Sequence, residues 1–174
     1  MKKYVIDKLH SEIEFKVKHL MISTVTGRFT EFYSEIIQPN DDFTDSEIIF
    51  ETEINSITTS VTDRDTHLKS PDFFNAEKYP KLSFKSTSVI PDGENYKITG
   101  ILNLHGVDKE VILTGKYAGN DVDFYGNNKY GFDLNGDIKR SDFGLTFNAV
   151  TEKGGILVSD DVKLIASVQF ILEN

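Results

Sequence analysis

The chain contains no cysteine. That excludes disulfides, thiolate metal sites, iron–sulfur clusters and a cysteine nucleophile. Tryptophan is absent too, and an excess of positive charge is missing. The 28 acidic residues outnumber the 19 lysines and arginines, for a net charge of −9. A field of that sign opposes DNA, RNA and anionic membrane surfaces. It still admits a small anionic headgroup where basic residues gather locally. No run approaches the roughly 18 apolar residues that a membrane-spanning helix needs, so no transmembrane segment is expected. The N-terminal stretch MKKYVIDKLHSEIEF lacks both an apolar core region and a small-residue cleavage site. The expectation is therefore a cytoplasmic protein, or a periplasmic one if a signal has been removed.

Recognisable chemistry is scarce as well. The four histidines, His10, His19, His67 and His105, form neither an H-x-x-x-H nor an H-E-x-x-H pair, so no metal is expected. There is no G-x-S-x-G elbow. Ser11 beside His10, and Ser141 beside Asp142, are only sequence neighbours. Gly126, Gly131 and Gly136 are spaced by five and fit no phosphate-binding loop; they mark loops and sheet bends instead. No catalytic residue and no cofactor are expected, and the chain reads as a binder before it reads as an enzyme.

What is present is alternation. Apolar residues make up 39% of the 174, enough for a core, and the length favours a single domain, 1–174. Within His10–Leu20, Ile13, Phe15, Val17 and His19 share one face, with Glu12, Glu14, Lys16 and Lys18 opposite. Period two with charges outside is a half-buried strand. The same rhythm recurs around Phe50, Phe84, Leu102, Leu113, Phe132 and Leu164. Leu20–Thr26 breaks the rhythm and reads as a short helical turn. Gly27–Ile37 reads as a strand with a bulge, because Phe29 and Phe32 differ in parity. Gly119–Asn128 reads as a loop. About eight strands joined by short turns predict an all-β, antiparallel, lipocalin-like barrel, a size that is either filled by side chains or able to hold one ligand.

One segment departs from that pattern: TDRDTHLKSPDFFNAEKYP, residues 62–80. It predicts a short helical cap that ends before Pro71, with Thr62 and Asp65 as its capping box. Phe73, Phe74 and Tyr79 then form an apolar plug. Arg64 and His67 fall on one helix face and could orient a polar headgroup. Alternatively, Arg64 pairs locally to pin the cap. Only three arginines occur, Arg28, Arg64 and Arg140. Arginine is the residue for planar, multi-donor contacts that lysine cannot make. In KRSDFG the expectation is a corner held by an Arg–Asp or Asp–backbone bond.

Taken in order, these segments resemble the YceI-like polyisoprenoid-binding family. The resemblance rests on Asp7, His10-Ser11 and Ile13 through Leu20; on Gly27 and Phe29; and on Arg64-Asp65, His67-Leu68, Phe73 and Tyr79-Pro80. It continues through Gly100, Leu102 and Gly106, the RSDFG run at 140–144, and Ser159-Asp160 with Val162. It implies a lipocalin-like barrel around a long apolar pocket for isoprenoid chains, quinone-type lipids or other long amphiphiles, often in a homodimer. Many members are exported to the periplasm, whereas this N-terminus shows no signal.

The expected ligand is thus a hydrophobic small molecule, an isoprenoid or fatty-acid-type lipid. Phe15, Val17, Phe50, Phe84, Leu102 and Phe132 are the expected pocket walls, and His19, Arg64 and His67 the expected polar contacts. The competing expectation is a structural or interaction barrel with a filled core.

Overall fold

A computed structural model describes all residues, 1–174. It contains eleven strands and one helix: β1 (Lys2–Ile6), β2 (Glu12–His19), β3 (Ser23–Phe29), β4 (Phe32–Gln38), β5 (Glu47–Glu53), β6 (Ile57–Thr58), α1 (Thr62–Lys69), β7 (Lys81–Asp92), β8 (Asn95–Leu104), β9 (Val107–Val122), β10 (Asn128–Lys139) and β11 (Val158–Leu172).

The eleven segments build eight wall strands. β1 and β2 both pair with β11, β1 through Tyr4 opposite Leu172 and β2 through Ile13 opposite Ala166. They form one wall strand interrupted by the 3-10 turn Lys8–His10. β3 lies on β2 and β4 on β1, which makes the second wall strand. β5 lies on β4 and β6 on β3, which makes the third. The long strands β7 to β11 then follow as antiparallel neighbours, and β11 closes the ring on β1 and β2. The result is the expected closed, antiparallel, eight-stranded barrel. Closure leaves no long unpaired edge.

The interruptions correct three readings. Gly27–Ile37 is two strands rather than one bulged strand. The chain breaks at Thr30-Glu31, and the third wall strand satisfies the freed backbone groups: Thr52 Oγ1 and Glu53 N donate to Glu31 O, and Thr30 N donates to Ser56 O. Leu20–Thr26 holds no helical turn. Leu20 and Met21 both have positive φ, the primed turn geometry that matches the twist of a hairpin, and β3 begins at Ser23. Gly119–Asn128 is a shorter loop than expected. β9 continues to Val122 beside β10, with a register shift at Gly131/Phe132.

The cap differs from its expected chemistry as well. The helix spans Thr62–Lys69 and stops at Ser70, just before Pro71. Thr62 is not its cap, because the N-cap position is Val61 and makes no side-chain bond. Asp65 reaches back instead to Thr59, accepting from its backbone N at 2.7 Å and its Oγ1 at 2.6 Å.

Connectivity assigns the loops to two ends. At one end lie α1, the Phe73-Phe74 segment and the turn at Arg140–Phe143. At the other lie both termini and the 39–46 loop. Phe43 of that loop packs edge-on against Phe132 and touches the rings of Tyr4, Tyr96, Tyr117 and Tyr130.

Candidate ligand cavity

The inward faces of the wall strands do not fill the barrel. They leave a cavity of about 240 Å³, lined by 38 residues of which 32 are hydrophobic. The volume lies just below the ~300 Å³ at which pockets for drug-sized ligands begin. Shared among so many lining residues, it describes a narrow lumen rather than a round chamber.

Paired glycines help keep the lumen open. Phe15 lies opposite Gly27 across the β2–β3 pair. A Cβ on Gly27 would sit 2.1 Å from the tip of that ring. Phe84, opposite Leu102, reaches diagonally over Gly100, where a Cβ would meet the ring at 2.3 Å and Lys85 O at 2.5 Å. Each ring lies flat along the wall because its neighbour has no side chain. With a larger residue there, each lumen-lining ring would have to shift.

Phe15, Val17, Phe50, Phe84, Leu102 and Phe132 all line this cavity. His19, Arg64 and His67 do not. His19 ends β2, opposite Ser23 and Val158. Arg64 donates from Nε to Thr59 Oγ1 at 2.7 Å and from Nη2 to Thr59 O at 2.9 Å, so its fork pins the cap. His67 pairs with Asp72 at 2.8 Å on the surface and packs edge-on against the rings of Phe73 and Phe147, which also touch each other. The helix offers the lumen Leu68 instead of its polar face.

Sequence reasoning missed three lining side chains of note. Phe43 sits in an acidic loop with no periodicity to mark it. Ser46 and Arg140 are buried polar groups that face inward. Arg140 makes no ion pair with Asp142. Its guanidinium donates to the carbonyls of Ser159, Leu145, Phe147 and Val158 at 2.7–3.1 Å. Burial pulls its pKa below the ordinary value, and the charge of nearby Asp160 opposes that pull. Asp160 itself accepts from Ser141 N and Oγ. Arg28 is an outward residue, 3.6 Å from Glu12.

Glu14, Ser34 and Asn135 also border the cavity, while the histidines stay apart from it. His10 bonds Asp7, and His105 Nδ1 lies 3.0 Å from Phe143 O. No group of three or more histidine, aspartate or glutamate side chains is placed to hold a metal ion. Tyr4 donates to Gln38 Oε1 at 2.6 Å. Its pKa is pushed up to about 12, by burial first and then by Tyr130 and Tyr117. No helix is long and apolar enough to cross a membrane.

Known proteins share this architecture. Residues 4–170 match the YceI-like domain. A UPF0312 protein of Pectobacterium atrosepticum is 38% identical over 168 residues, covering 95% of this chain and 84% of the relative. The crystal structure of the Campylobacter jejuni YCEI protein is 34% identical, covers 90% of each chain and superposes with a TM-score of 0.76. A polyisoprenoid binding domain from Saccharophagus degradans has the same fold, with a TM-score of 0.69 over 98% of each chain at 16% identity. The matched domain and the two closer likenesses extend over nearly the whole sequence, and the chain belongs to the YceI-like family.

Proposed function

We propose that this protein binds, and carries or sequesters, an isoprenoid or a similar long-chain amphiphile inside its barrel, with a quinone or prenyl lipid as the ligand class. The observation that carries the reading is the cavity: a narrow, greasy lumen lined almost wholly by hydrophobic residues. Such a space favours a hydrocarbon tail, because each buried CH₂ contributes about 0.8 kcal/mol before ordering costs. The polyisoprenoid-binding description of the Saccharophagus degradans domain supports the same ligand class. The open lumen speaks against the filled structural barrel.

In this reading Phe15, Val17, Phe50, Phe84, Leu102 and Phe132 are the walls that hold the tail, and no catalytic step is assigned. The polar roles first assigned to His19, Arg64 and His67 pass to residues that reach the lumen. The test is organic extraction of the purified protein followed by mass spectrometry, with native spectra before and after. A stoichiometric long-chain lipid that leaves on extraction and returns on adding a prenyl quinone is the expected result. Protein that carries no lipid and takes up none from a broad panel overturns the proposal.

A further inference from the structure

Three buried polar residues line the lumen, Ser34, Ser46 and Arg140; Glu14 and Asn135 also border it but are not buried. Two are already engaged. Ser34 donates to Ile49 O at 2.7 Å, and Arg140 to its four carbonyls. Ser46 differs. Its residue is 4% exposed, and its hydroxyl is the one buried side-chain polar atom with no hydrogen-bond partner. Its backbone is satisfied: the N–H donates to Phe43 O at 3.3 Å, and the carbonyl accepts from Ser86 Oγ at 3.2 Å. A buried hydroxyl without a partner is costly, and native structures rarely keep one.

We infer that Ser46 is the hydrogen-bonding point for an uncharged oxygen of the bound amphiphile, a ketone, ester carbonyl or alcohol, at the Phe43 end of the lumen. This rests on the carrier reading and adds to it the headgroup's chemistry and position. The surroundings select a neutral group. Phe43, which neighbours Ser46 in the 39–46 loop, packs among Tyr4, Tyr96, Tyr117, Tyr130 and Phe132. The only cation lining the cavity, Arg140, belongs to the opposite end. A phosphate at Ser46 would lose its hydration with no cation to replace it. A carbonyl or alcohol needs one hydrogen bond, and the hydroxyl supplies it.

The experiment compares wild type with Ser46→Ala after delipidation, using methyl tetradecyl ketone and hexadecane, two probes with equal carbon count. Each is titrated by displacement of a fluorescent lipid. The variant is expected to bind the ketone roughly 5- to 10-fold more weakly, the effect of one hydrogen bond. Its affinity for hexadecane should not change. The melting temperature of the ligand-free variant should equal or exceed that of wild type, because the substitution removes a polar group that had no partner. An unchanged ketone affinity, an equal loss for both probes, or a destabilised ligand-free variant overturns the assignment to Ser46 and leaves the carrier reading standing. Wild type that takes up neither probe removes both.

Discussion

At the scale of single residues, two glycines bear on whether the barrel is hollow. Alanine at position 27 collides with the Phe15 ring, a wall of the lumen that must shift to make room. Gly27→Ala should therefore cost about 1–3 kcal/mol in urea unfolding, the range for overpacking, and should weaken lipid binding at the same time. Gly100→Ala should cost more, because its Cβ also meets a fixed backbone oxygen, Lys85 O, at 2.5 Å. Equal stability for the two variants would contradict this geometry. Arg140 poses a different problem. Arg140→Met keeps bulk but strips the donor from four carbonyls. A loss of about 3 kcal/mol or more is expected, with faster amide exchange confined to residues 144–158. Exchange that rises evenly across the barrel would mean that Arg140 does not pin this segment.

Among the elements, the junction between β1 and β2 is held by charge. Asp7 accepts from Leu9 N, bonds His10 at 2.8 Å and pairs with Lys129 of β10, with Asp123 3.7 Å from the same ammonium. Burial alone would raise the Asp7 pKa and is its largest single influence. The hydrogen bonds from Lys129 and His10, with the Lys129 charge, outweigh it, and the net shift is below the ordinary 3.8. A carboxylate with a lowered folded pKa stabilises fully above its unfolded value and loses that contribution as pH falls through the folded one. Stability should therefore decline in acid below about pH 4, and Asp7→Asn should flatten that limb while lowering stability at neutral pH. An acid limb unchanged in Asp7→Asn, followed by urea midpoints from neutral pH downward, would remove Asp7 from the account.

The same elements show what the sequence could and could not reveal. Alternation placed Phe15, Phe84 and Phe132 on inward faces because period two needs only local information. It could not show that β1 and β2 share one partner, since that is a fact about β11, at the other end of the chain. The break at Thr30-Glu31 imitated a bulge because both shift parity. Phe43 is set by a loop fold that no periodicity encodes, whereas Ser46 shares the parity of inward Ile48 and Phe50 but carries no apolar side chain to mark it. Arg64 and His67 looked like headgroup ligands because of their residue types, yet local bonds to Thr59 and Asp72 occupy them.

At the scale of the whole molecule, the wall strands bury one face and expose a charged one, and the net charge of −9 lies outside a greasy interior. The most direct test of that interior is native mass spectrometry of the delipidated protein against a series of isoprenoid alcohols of increasing chain length. Each added CH₂ should raise affinity by at most about fourfold, the equivalent of 0.8 kcal/mol, until the lumen is full and the gain stops. A one-to-one adduct whose affinity climbs and then levels is the predicted result. No adduct at any length, or an affinity indifferent to length, would contradict it.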